Sequence, residues 1–414
     1  VGAVVAPLVA ASVLLTAAVH AADAPPLRQE ANRVHDEAIV VDGHNDVTTF
    51  ILDYGFDLGM NGAEPADRDA TLYWVPVLRE LLPRPDGEDL RVDTDIRRLR
   101  AGGVDAQFFS IFAHPRYLPR SSKQRALDMI AAVHQQVARH PDDLVLARSV
   151  ADVREAASQD KIAVLMGLEG GHAIEDELAN LREFYELGVR YMTLTWSNTH
   201  SWADSSNDEA RHGGLTEFGR DVVREMNRLG MIVDVSHVSD DTFFDVLEVT
   251  RAPVIASHSS VRAIADHPRN MSDDMLRAMG RNGGVVMINF SENFLDPDKA
   301  GVWPSVRHWL SNLAWKDTPF ELLIDHIEHA VRVAGVDHVG LGSDFDGTLF
   351  LPERMKDVSA FPNITLELLR RGHGEEDIRK ILGENALRVL LEVESSARPG
   401  GGSRPATEAP EIGR

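Results

Sequence analysis

Cysteine is absent from all 414 residues, which removes disulfides, thiol nucleophiles, thiolate zinc sites and a lipidated cysteine anchor from consideration. Basic residues are outnumbered, 42 Lys and Arg against 65 Asp and Glu, and the formal charge of −23 repels a phosphate backbone. No nucleic-acid partner is expected. Long apolar runs are missing after the first twenty or so residues, and a content of 43% hydrophobic and 26% charged residues is that of an ordinary folded chain rather than a multi-span membrane protein or a disordered one. Any metal must therefore be held by His, Asp or Glu, and 17 His are present.

The opening run, VGAVVAPLVAASVLLTAAVHAA, carries no charge and ends in small residues suited to signal-peptidase cleavage. Residues 1–21 read as a signal peptide entered part-way, since neither a starting Met nor a basic n-region precedes it. The expected location is outside the cytoplasm, periplasmic or secreted, with an uncleaved membrane anchor as the alternative. Residues 396–414, rich in Gly, Pro and Ser, read as a flexible tail. The catalytic body is expected within residues 30–395.

Eight short apolar runs alternate there with longer amphipathic stretches: Ala38–Asp46, Asp105–Phe112, Ile162–Gly171, Val189–Trp196, Met231–Ser239, Pro253–Ser260, Gly284–Phe290 and His338–Gly347. The stretch Leu215–Gly230 shows the helical pattern, with Phe218, Val222, Met226 and Leu229 on one face and Gly230 as its stop. Strand then helix, eight times over, predicts an α/β fold of the (β/α)8 TIM-barrel type. A doubly wound open sheet shares the alternation. The barrel is favoured because the polar residues fall at the C-terminal ends of the apolar runs, where a barrel gathers its active site. Residues 54–92 and 291–317 exceed minimal connections and read as insertions over the barrel mouth.

Those polar residues form a series. His44 and Asp46 end the first run, and alternate strand positions face one way, so an imidazole and a carboxylate there can share a cation. Glu169 ends the third run, where a bare buried charge is costly and needs a partner or a metal. His172 follows it and reads as a supporting loop residue rather than a ligand. His237 and His258 end the fifth and sixth runs at matching heights. Asp344 ends the eighth, beside the first, and suits a general acid/base; Asp346 reads as support for the turn before Gly347. Each alone is also a common structural feature. Their order is what is specific.

With those residues in place, VDGHNDV, GLEGGHAI, VDVSHVSDDTF, IASHSSVRAI, HPRNMSDDML and VGLGSDFDG resemble the membrane (renal) dipeptidase family of amidohydrolase-like metal barrels, over residues 38–390. The resemblance implies two Zn(2+) per chain and hydrolysis of dipeptides by a metal-bridging hydroxide, with acceptance of a C-terminal D-residue left open. Carried over motif by motif, His44 and Asp46 would hold one zinc, His237 and His258 the other, and Glu169 both. Asp344 would move the proton and Arg269 would grip the substrate's terminal carboxylate, a pairing that suits a guanidinium fork. The pattern departs after the fourth run, where the family's LTH is LTWSNTH: Trp196 takes the His position, and His200 is the candidate replacement in contact with substrate. Thr48 and Thr49 stand where the family has an aromatic. The run VRYMTLTW has no Lys, which speaks against a carboxylated-lysine metal bridge. A homodimer is left open. Two other readings remain at this point: a hydrolase of the same barrel acting on a β-lactam, lactone or N-acyl amino acid, and a non-catalytic exported binding protein.

Overall fold

In a computed structural model, which describes residues 25–60, 92–115, 121–300, 317–348 and 350–397, the chain forms nine strands. They are β1 (Val40–Asn45), β2 (Val104–Phe112), β3 (Leu144–Leu146), β4 (Ile162–Glu169), β5 (Val189–Thr193), β6 (Ile232–Asp234), β7 (Ile255–Ala256), β8 (Val285–Ile288) and β9 (Val339–Leu341). All pairings are parallel, and β2 pairs with both β1 and β4, so the eight strands other than β3 close into a ring with helices between them. This is the (β/α)8 barrel, and each predicted run supplies one of its staves. A parallel strand is covered on both faces and reads as unbroken apolar sequence; in β4 all eight residues are buried.

The ninth strand was not visible in the sequence. β3 lies beside Ile162–Val164, the first half of β4, on the edge that β5 takes from Met166 onward. Three residues are too few to show a period.

The helices begin and end for local reasons. Glu217–Leu229 starts two residues later than the predicted stretch because the Thr216 side chain accepts the Gly219 N–H as its cap, and it stops at Gly230, where φ is 81°. Ser121, Ser149, Ser239 and Ser272 cap other helices in the same way. Among the described residues, no helix is long and apolar enough to cross a membrane. The leader 1–21, most of both expected insertions and nearly all of the tail lie outside the described residues.

Closure of the ring fixes the site. Pairing between β1 and β9 continues past both strands: Asp344 N–H donates to the His44 carbonyl at 3.0 Å and Asp46 N–H to that of Phe345 at 2.9 Å. Residues more than 290 positions apart in the chain thereby share one rim.

Candidate metal centre

Each of the six residues singled out at the ends of the runs sits on or just beyond the C-terminal end of a barrel strand. Glu169 is the last residue of β4, and His44 the penultimate residue of β1. His237 and Asp344 follow β6 and β9 in the left-handed backbone region, with φ of 67° and 62°. That conformation costs about 1 to 3 kcal/mol for a residue with a side chain and is held only where surrounding structure enforces it. Gly347 has its own steric reason: a Cβ there would collide with the carboxylates of Asp46 and Asp344.

The side chains converge. His44 Nε2 lies 3.3 Å from Asp46 Oδ2 and 3.5 Å from Glu169 Oε2. Glu169 Oε1 is 3.1 Å from His237 Nε2 and 3.7 Å from His258 Nε2, and those two nitrogens are 2.9 Å apart. Ligand atoms of His44, Glu169 and His258 form one group within 4.8 Å of one another, and those of His44, Asp46 and Asp344 form a second. Glu169 touches all three imidazoles, and its Oε2 accepts the Ser110 hydroxyl at 3.0 Å.

The electrostatics call for a cation. Burial disfavours a charge on His44, yet Tyr191, Asp46 and Glu169 outweigh it and raise the pKa well above that of an ordinary imidazole. Burial raises Glu169 too, but His44 and His237 overcome this and hold its carboxyl below the usual range. Burial first, then His44 and Arg269 among other charges, lower His258 strongly, and burial with Arg269 lowers His237 to about 3, so both rings are neutral donors. His44 Nε2, Asp46 Oδ1 and His237 Nδ1 are buried without a hydrogen-bond partner. Three imidazoles and the carboxylates of Asp46 and Glu169 converging on one place, with His44 Nε2 lacking a hydrogen-bond partner there, are the donor set of a divalent transition metal such as zinc.

Asp344 is pushed up to about 7, chiefly by burial, with His44 lowering and Asp46 raising it. Its Oδ2 accepts the Asn289 amide at 2.8 Å. Arg269 is 4% exposed, and its guanidinium donates to the His258 carbonyl at 3.1 Å and the Ser259 hydroxyl at 3.4 Å, while Nε has no partner. Burial lowers its pKa to about 10, against the pull of Asp344, Glu169 and Asp234, so it stays charged near neutrality. No carboxylate among the described residues forms an ion pair with it.

The two residues of the altered fourth run separate. Trp196 stands beside the centre, its ring 6.4 Å from that of His237. His200 does not join it: Nε2 donates to the Leu194 carbonyl at 2.8 Å, the ring packs on Trp202 at 4.4 Å, and burial lowers its pKa to about 4. The donor nitrogen of His200 is spent inside its own loop. His114, two residues past β2 and not singled out from the sequence, lies 5.2 Å from Trp196 and 6.1 Å from Phe112, ring to ring. His172 is held outside the centre, its Nε2–H donating to the Ala113 carbonyl at 2.5 Å. Asp346 anchors a neighbouring segment, accepting the Asp93 N–H at 2.7 Å.

Other supporting residues also escaped the sequence reading. Tyr191, Asp234, Ser257 and Asn289 lie within the apolar runs, and each reaches one of the six residues directly or through one hydroxyl.

Comparison with known proteins gives a consistent picture. The family model for membrane dipeptidase (peptidase family M19) matches residues 28–401. Among solved structures, the probable dipeptidase PvdM from Pseudomonas aeruginosa is similar in fold, with TM-score 0.74, 24% identity, and 90% of this chain and 100% of that chain covered. A dipeptidase AC described as a metallopeptidase of family M19 is 27% identical over 86% of this chain and 98% of its own, with TM-score 0.69. A metallopeptidase from Rhodobacter sphaeroides, solved with a phosphinate mimic of the dipeptide L-Ala-D-Ala, is 26% identical over 86% of this chain and 100% of its own, with TM-score 0.69.

Proposed function

Because the chain belongs to the membrane dipeptidase family, and is a metallo-dipeptidase on that ground, we propose that it cleaves free dipeptides, including those with a C-terminal D-residue, at a two-zinc centre. His44 and Asp46 would hold one ion, His237 and His258 the other, and Glu169 both. Bound there, the metals supply an acidified water at neutral pH and a Lewis acid for the peptide carbonyl. Membership of a metallopeptidase family displaces the reading as a non-catalytic binding protein.

The observation that carries the substrate class is Arg269. A buried guanidinium with no carboxylate partner is costly, and a substrate's terminal carboxylate satisfies it with charge-assisted hydrogen bonds. The L-Ala-D-Ala mimic in the Rhodobacter sphaeroides relative supports the same class and motivates the D-residue. Asp344 takes the proton of the attacking water and returns it to the departing amine. A carboxyl near 7 suits a group that must both accept and donate at neutral pH. Asn289, donating to Oδ2, holds the carboxylate in orientation and leaves Oδ1 for the proton. Phe112, His114 and Trp196 form an aromatic wall beside His237 for a substrate side chain.

Two experiments test this reading. On a panel of L,L and L,D dipeptides with a tripeptide and an N-blocked control, the dipeptides are expected to be cleaved and the controls spared. Faster turnover of a β-lactam or an N-acyl amino acid than of every dipeptide would overturn it. In Arg269→Ala, KM for dipeptides is expected to rise by about 10-fold to 100-fold, the worth of one or two hydrogen bonds to a charged group, with metal content unchanged. An unaltered KM removes Arg269 from the substrate grip.

A further inference from the structure

Two of the three imidazoles at the centre rest on a buried hydroxyl through the nitrogen that faces away from it. On β1, His44 Nδ1 lies 2.8 Å from the Tyr191 hydroxyl, which in turn donates to the Gly43 carbonyl at 3.1 Å. The phenol has one proton, and the carbonyl can only accept it. The His44 contact must then run from Nδ1–H to the phenol oxygen. Tyr191 reaches His44 from β5, and its ring lies over Gly167, where any Cβ would collide with it. Tyr191 and His44 are both fully buried.

The second case uses a relay. His258 Nδ1 lies 2.8 Å from the Ser257 hydroxyl, which donates to Asp234 Oδ2 at 2.6 Å. Asp234 already accepts the Ser236 N–H at 3.0 Å, the Ser257 N–H at 2.9 Å and the Thr193 hydroxyl, so it is an acceptor toward Ser257 as well. The serine proton is spent on the carboxylate, and its oxygen is left to accept from His258 Nδ1–H. His237 has no such support, since its Nδ1 is buried without a partner.

We infer that Tyr191 and the Asp234–Ser257 pair are positioning residues that lock His44 and His258 in the Nδ1–H tautomer, with each Nε2 lone pair turned toward the centre. The inference rests on the metal-holding role proposed for these imidazoles. A ring that must first flip or lose a proton binds a cation less tightly, and loss of such outer contacts weakens metal affinity by about 10-fold to 100-fold. The two devices serve different ions. Tyr191 acts through His44 on the ion shared with Asp46, and Ser257 acts through His258 on the ion shared with His237.

The test is stepwise zinc affinity, measured by chelator competition on the full chain, with the absorption bands of the cobalt-loaded protein as a second readout. Tyr191→Phe removes only the hydroxyl and is expected to weaken one of the two ions by about 10-fold to 100-fold while sparing the other. Ser257→Ala is expected to do the same to the other ion. Each variant should shift the cobalt bands, which packing changes elsewhere leave alone, and circular dichroism of the metal-free forms checks folding. Should Tyr191→Phe not fold, Ser257→Ala carries the test. Wild-type affinities and bands in folded variants overturn the inference and leave the metal centre standing. A wild-type chain that takes up no ion overturns the metal centre itself and the inference with it.

Discussion

Asp344→Asn is expected to keep its metal and lose turnover by about 100-fold to 10,000-fold, the range for removal of a positioned general acid/base. The substitution is a clean one here. Position 344 has φ of 62°, a conformation that Asn adopts as readily as Asp, so the turn is not strained further. Asn289 still finds a carbonyl oxygen to donate to at 344, and the five proposed ligands are untouched. What disappears is a half-buried carboxyl at the rim poised near neutrality, at about 7 against an ordinary 3.8. Because the folded pKa is raised, the stability tied to the protonated form is present below about pH 4 and lost as pH climbs toward 7. A neutral amide escapes that loss. The metal-free variant is therefore expected to melt no lower than the metal-free wild type at pH 8. Measuring kcat, metal per chain by elemental analysis and the metal-free melting temperature separates the cases. Undiminished kcat refutes the proton role, and metal lost in step with activity would make Asp344 a ligand instead.

The ligand candidates that sequence reasoning could find share one property: they interrupt or end an apolar run with a charge or an imidazole. Glu169 after IAVLMGL and His258 after PVIAS stand out because burial of such groups is costly and demands a reason. Barrel topology then needs nothing more than the count and order of the runs. β3 escaped because LVL follows a turn and is three residues long. Tyr191, Ser257 and Asn289 escaped for a different reason. Hydroxyls and amides are common in strands, and only the closed ring shows that the Tyr191 phenol on β5 meets a His on β1. The altered fourth run shows the limit most plainly. Sequence proximity favoured His200 as the substitute for an imidazole, whereas its loop turns the ring onto Trp202, and it is His114, from a different strand, that reaches Trp196.

Glu169→Ala is expected to abolish binding of both ions together, with less than one metal retained per chain and activity lost by at least about 1,000-fold, since no acidified water remains without metal. The reason lies in how the ligands divide. Without Glu169, His44 and Asp46 remain on one side and His237 and His258 on the other, two donors each, below the three that protein zinc sites ordinarily need. Among the described residues, Glu169 is also the only carboxylate within 4 Å of all three imidazoles. Its charge offsets the field of Arg269, which otherwise disfavours a cation at His237 and His258. Metal bound only by the folded chain stabilises it by about 4 kcal/mol when its concentration is a thousand times Kd, so wild-type protein should gain several degrees in melting temperature on zinc addition. The variant should gain none. Glu169→Gln separates shape from charge: it fills the same space and still accepts from Ser110, yet offers the ions no negative oxygen, and it is expected to follow the Ala variant. A Gln variant that binds two zinc ions as the wild type does would mean that Glu169 serves the packing of the rim, and that the imidazoles with Asp46 and Asp344 hold the metals unaided.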